Sequence, residues 1–314
     1  MTLRATAVML AVGCIWGTSF LYSRILVQEG LSPAQVVLGR SFIGGAALVV
    51  IALLQRHNLG LNRRNLTYGL FAATFGALAP FMLISWGVTH VESGTASILN
   101  ATVPLFIVVL TVAQPDEVMT KARAAGILTG FVGVIILTGN DLTDLASANA
   151  VAVGAILLAM ALYAVTNVAS RFAIRDWDSQ SFSTVQIGLA GAIALPIVGI
   201  VDPPSFDYGW KVWGSLLGVG LLGTGLAYLG YYWLVHNVGS VRASLQSYLI
   251  PVVGVIAGAI VLGEDVGWNT FAGGLVILAG VALVSMDSLR RLSSRLAPTS
   301  IGVEEPASDE NRRF

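Results

Sequence analysis

Charge is what this sequence has least of. Charged side chains make up 11% of its 314 residues against 55% hydrophobic, whereas a soluble globular protein is roughly a quarter charged. A soluble domain is excluded on that ground, and an integral membrane protein takes its place. Cysteine occurs once, as Cys14 inside an apolar run, so neither a disulfide framework nor a thiolate metal site can be built; packing is the role expected of it. The histidines number three, and His90 and His236 close apolar runs without metal-ligand company. No HExxH, no cluster of carboxylates and no Ser/His/Asp set in one leaflet is present, so no enzyme chemistry, no metal and no cofactor is expected. Lys plus Arg equals Asp plus Glu at 17 each, and that balance gives no reason to expect a nucleic-acid partner.

What is present is apolar length. About 20 apolar residues cross the ~30 Å of bilayer hydrocarbon at about 1.5 Å per residue, and ten runs qualify, near 5–27, 34–55, 66–89, 94–113, 122–139, 150–172, 181–201, 212–235, 240–262 and 268–286. The first is too long for a signal-peptide core and no small-residue cleavage site follows it, so it reads as a span. Membrane lipid is therefore one expected partner. With the N-terminus inside, the cytoplasmic segments collect Arg4, Arg56, Arg63, Arg64, Lys121, Arg123, Arg171, Arg175, Arg242, Arg290, Arg291, Arg295, Arg312 and Arg313, about 14 of the 17 basic residues. The positive-inside rule then puts both termini in the cytoplasm. The polar stretch after Leu289 lacks the apolar surface needed to order itself, so 290–314 is expected to be a disordered tail.

The chain also repeats itself. Displaced by 147 positions, Gly76 to Leu137 falls on Gly223 to Val284: Trp86 on Trp233, Ala96-Ser97 on Ala243-Ser244, Pro104 on Pro251, Glu117 on Glu264, Gly126 on Gly273. The same offset puts Trp16 on Tyr163 and Gly44 on Gly191, so the expected organisation is a first repeat at 1–146 and a second at 147–289, five spans each. Five is odd, so the second copy enters the membrane from the opposite face. The expected fold class is thus an all-α integral membrane protein of ten transmembrane helices in two inverted five-helix repeats, with a solute site near the midplane between them.

Trp16-Gly17-Thr18-Ser19-Phe20, Arg40-Ser41-Phe42, the Ala96-Ser97 to Pro104 pattern and Leu262-Gly263-Glu264 resemble the EamA family of the drug/metabolite transporter superfamily, over about 280 residues. That resemblance implies ten spans in two inverted repeats and a transporter, of which many export amino acids or other small metabolites from bacteria. Two positions depart from the pattern. The Leu-Gly expected before Glu117 is replaced in Gln114-Pro115-Asp116-Glu117, and the tryptophan of span one is Tyr163 in the second copy.

Polar side chains at membrane depth are costly unless paired or hydrated, which marks the candidate cavity. Trp16 and Ser19 share a helical face, as do Tyr163 with Asn167 and Tyr228 with Tyr232; Asn100 and Gln246 each lie within about a turn of a mid-span proline. These eight are the expected solute-binding set, suited to a zwitterionic or aromatic solute. Their alternative roles are helix cross-links for the amides and an interfacial belt for the tyrosines. Pro104 and Pro251 each remove a backbone hydrogen bond and are either static bends or gating hinges. Glycines 126, 130, 133, 273, 274 and 280 form small-residue stripes for helix packing or for pairing two chains as a homodimer. Since no Asp, Glu or Lys falls mid-span and Arg24 and Arg40 lie near ends, the cavity is expected to be uncharged and transport weakly coupled, or coupled through Glu264, whose other role is to cap a helix or pair with an arginine. A multispan membrane enzyme, a channel and a structural membrane protein are the competing classes.

Overall fold

The computed structural model describes residues 2–112, 119–139, 147–173, 176–205, 207–238 and 243–296. Glu117 with its Gln114–Glu117 departure, Arg175, Arg242 and the tail from 297 lie outside those residues. Among the described residues there is no strand. Ten apolar helices follow one another: α1 Leu3–Gln28, α2 Pro33–Leu54, α3 Arg63–Gly87, α4 Ser93–Thr111, α5 Lys121–Thr138, α6 Ala148–Ser170, α7 Ser179–Val201, α8 Trp210–Val238, α9 Gln246–Leu262 and α10 Trp268–Met286. All but α9, the short one, have the length and hydropathy to cross a membrane. The chain is an all-α integral membrane protein, and each expected run coincides with one of these helices. The last continues as helix to Leu296.

Starts are set by caps. Ser32 accepts from the Gln35 amide while the Gln35 side chain accepts from Ser32, and Pro33 supplies the fixed φ of a first turn. Thr2, Asn62, Thr120 and Asp178 likewise accept amides at the heads of α1, α3, α5 and α7.

Within the spans, regular winding fails in matching places. In α4 the helix ends at Asn100 and resumes at Val103. Pro104 has no N–H for the Asn100 carbonyl, so the break falls where a proline forces it. In α9 a 3₁₀ turn at Ser244–Tyr248 precedes the α-segment that carries Pro251. Spans α3 and α8 each widen into π-helix, at Thr74–Leu78 and Gly218–Leu226; the two stretches are related by the 147-residue offset. Such widening leaves carbonyls free for other donors.

Packing follows the same exchange. Helix α1 packs on α8 and α9 as α6 packs on α3 and α4; α2 meets α8 as α7 meets α3; α5 meets α10, α2 meets α7, and α4 meets α9. Each of these contacts between the halves maps onto its counterpart when the halves are swapped, while α4 also touches α10. The glycine stripes explain how closely α5 and α10 approach: a Cβ on Gly280 would stand 2.5 Å from Gly126 O and from Gly130 N, and one on Gly133 2.6 Å from Ile277 N. The stripe is consumed within one chain, so a homodimer would have to use another surface. Gly280→Ala is expected to cost about 1–3 kcal/mol by overpacking, whereas Gly154→Ala, with nothing within 4 Å of the added carbon, should gain about 0.5–1 kcal/mol. Thermal unfolding of the two variants in detergent checks the contrast. Cys14, expected to pack, instead faces out of the bundle.

Candidate functional site

A cavity of about 100 Å³ lies where α1, α2, α3, α4, α6, α7, α8 and α9 converge. All eight residues singled out above line it, Trp16, Ser19, Asn100, Tyr163, Asn167, Tyr228, Tyr232 and Gln246, together with Pro104. Pro251 is buried but one residue off the lining, where Ile250 takes its place.

The π-wound stretches hold the walls. Trp16 Nε1 donates to the Gly223 carbonyl at 3.0 Å, and the Tyr228 hydroxyl to the Gly76 carbonyl at 3.1 Å. Both acceptors sit where helical hydrogen bonding is loosened, and both bonds tie one half of the chain to the other. Trp16 packs edge-on to Tyr228, ring centroids 5.6 Å apart, and against Tyr231 at 5.2 Å. Behind them Gln186, fully buried, donates through Nε2 to Ala72 O and Gly76 O at 3.2 and 3.3 Å and accepts from the Tyr232 hydroxyl at 2.9 Å. Tyr231 donates to Asn167 Oδ1, and Asn167 Nδ2 donates back to Tyr163 O. Ser19 spends its proton on Ile15 O, 2.9 Å away in its own helix. Gln246 Oε1 and Thr166 Oγ1 are buried with no hydrogen-bond partner, so the lining keeps unused polar capacity.

The expectation of an uncharged cavity fails. Arg40 lines it, 5% exposed, as the eighth residue of α2. Seven rises of about 1.5 Å carry it about 10 Å past the start of the helix. A long side chain near a span end is able to reach outward to the interface; this one turns inward, and its Cζ stands 3.6 Å from the centroid of the Phe81 ring. Gln186, Tyr231 and Thr166 also line the cavity without having been singled out. Gln186 follows Ser181, Ser183 and Thr184, and that density of polar residues in a span was the available signal.

Glu264 lies away from the cavity. Its carboxylate accepts from Ser93 N and Ser93 Oγ at 2.8 Å and from Gly94 N at 3.0 Å. It thus caps the head of α4 from 171 positions along the chain, where the helix dipole favours an anion; it does not cap the helix that follows it. Next to it Glu92, between α3 and α4, has its carboxyl pushed above the usual range by burial, with the nearby Glu264 adding to the shift; Asp265 and Arg24 are its other charged neighbours. An acid whose folded-state pKa is raised contributes stability below its unfolded pKa and loses it as pH rises through the folded value. Glu92→Gln should therefore raise the melting temperature at neutral pH and leave it unchanged near pH 4, which melting curves across pH 4–8 would read.

Among the described residues no group of His, Cys, Asp and Glu could hold a metal ion. The sequence model described as the EamA-like transporter family matches residues 3–139 and again 150–286, two segments separated by the 147-residue offset. The chain is 25% identical over 288 residues to the "Probable terminal-alkyne amino-acid exporter" of Streptantibioticus cattleyicolor, covering 90% of this chain and 94% of that protein. It is 29% identical over 288 residues to the "Uncharacterized inner membrane transporter YedA" of Escherichia coli K12, covering 88% and 89%. A solved crystal structure 20% identical to it superposes with a TM-score of 0.68, over 93% of this chain and 99% of that one.

Proposed function

Because the chain belongs to the EamA-like transporter family, we propose that it is a secondary transporter which exports small metabolites, amino acids or related solutes, by alternating access. The observation that carries this reading is the cavity between the halves, lined by residues of both. Its aromatic walls suit an apolar side chain, and the unpartnered Gln246 Oε1 suits an ammonium group as donor. An amino acid also agrees with the printed name of one relative. Family membership sets the chain among transporters and not among enzymes.

In this reading residues 1–146 and 147–289 are two inverted repeats, both termini are cytoplasmic, and the membrane is a bacterial inner membrane. The exchange symmetry of the helix contacts supports the repeats, and the distribution of arginines supports the orientation. Trp16, Ser19, Asn100, Tyr163, Asn167, Tyr228, Tyr232 and Gln246 contact the solute. Pro104 and Pro251, each beside a turn of irregular winding, are the hinges. Glu264 acts as a cap across the repeats, so coupling through it is weak and the carrier behaves as a facilitator or exchanger.

The test is flux into proteoliposomes preloaded with a panel of neutral and aromatic amino acids, purines and sugars. Saturable uptake accelerated by solute on the far side is expected for amino acids. Flux that rises linearly without such acceleration would make the protein a channel and remove the reading.

A further inference from the structure

The cavity's one cation is held firmly but left unneutralised. Arg40 Nε donates to Thr224 Oγ1 at 3.3 Å, and Thr224 gives its own proton to Val219 O at 2.8 Å, so its oxygen can only accept from the arginine. Phe81 covers one face of the guanidinium. Those two contacts fix its plane and leave the Nη edge with no acceptor among the described residues. The ion pairs of the described residues belong to His57, Arg64 and Lys211.

Magnitudes say that this arrangement is incomplete. Removing a guanidinium from water costs more than stacking on one aromatic face returns. Its open Nη edge on the cavity wall is where an anion would add the strongest compensation. Two parallel Nη–H donors match a carboxylate in a bidentate pair, while the aromatic walls accept an apolar body.

We propose that Arg40 anchors the carboxylate of the transported solute, which is a monocarboxylate with an apolar or aromatic remainder. This rests on the transporter reading of the same cavity and narrows it. Solutes without a carboxylate lack the group that neutralises the site and are rejected by the cost of leaving a cation desolvated.

The test uses the full chain purified in detergent. Phenylalanine, leucine, phenyllactate, phenylalaninamide, leucinamide and inorganic phosphate are titrated, and both melting temperature and tryptophan fluorescence are followed. Wild type is expected to bind one or more of the acids at least tenfold more tightly than the matching amide. Arg40→Gln should abolish that preference, and Arg40→Lys should keep part of it. If Arg40→Gln does not fold, the acid-to-amide ratio of wild type and of Arg40→Lys decides. Equal binding of acids and amides, acid binding retained in Arg40→Gln, no binding of any acid, or binding of phosphate in preference to the carboxylates would each overturn the assignment. Acid-selective binding without saturable vesicle uptake would leave the anchor standing and remove the transporter reading; saturable uptake indifferent to the carboxylate would do the reverse.

Discussion

Gln186→Leu is expected to lower stability by on the order of 3 kcal/mol, because buried groups left without partners cost about 1–3 kcal/mol each. Gln186 is 0% exposed, and its amide joins three helices: it donates into α3 at Ala72 O and Gly76 O and accepts from Tyr232 of α8. Leucine fills much of the space and answers none of these groups. The Tyr232 hydroxyl would be stranded, since Tyr232 is 4% exposed and donates to Gln186 Oε1. Adding Tyr232→Phe removes the stranded group, so the double variant should be more stable than Gln186→Leu alone, a coupling that a double-mutant cycle in detergent measures. Additive losses would mean that the bond contributes nothing of its own. A melting temperature unchanged in Gln186→Leu would mean that water reaches this part of the bundle.

Much of this architecture could be read from the residues, because in a bilayer length and hydropathy alone decide what a segment can do. The ten helices stand where apolar runs predict them, and Pro104 announces the break in α4. Spacing of four along a helix brought Tyr228 to Tyr232 and Tyr163 to Asn167 on one wall, since helical neighbours share a face. The missed features share a cause: they depend on where a side chain turns and not on where it is attached. Arg40 was read as a residue near a span end, and only the tertiary structure shows it folded back over Phe81. The π-helical stretches at Thr74–Leu78 and Gly218–Leu226 have no sequence signature beyond their glycines, yet they free the carbonyls that Trp16 and Tyr228 use. Glu264 was legible as a cap, but its partner Ser93 is 171 positions away, so the helix it caps could not be chosen from spacing.

Trp16 carries the other large expected effect, and there the two halves stop being equivalent. Its counterpart at the 147-residue offset is Tyr163, and the symmetric match of its bond to Gly223 O would be Tyr163 to Gly76 O. Instead Tyr228 and Gln186 hold Gly76 O, so the two equivalent carbonyls are bound by different side chains. Trp16→Ala removes a large ring from between Tyr228 and Tyr231, costing about 3–5 kcal/mol, and is expected to abolish flux. Trp16→Phe keeps a ring and loses one hydrogen bond, about 1 kcal/mol, which corresponds to roughly fivefold in rate if the bond is made only in the state that limits turnover. The kinetic split tells where that bond acts. A higher KM at unchanged maximal flux puts the indole N–H, and not the ring alone, among the groups that hold the solute. A lower maximal flux at unchanged KM makes its bond to Gly223 a tie that forms in one access state and breaks in the other. Because Trp16 already spends its Nε1 proton on a carbonyl of the opposite half, the expected result is the second. Wild-type kinetics in Trp16→Phe would show that the tie is not part of the cycle.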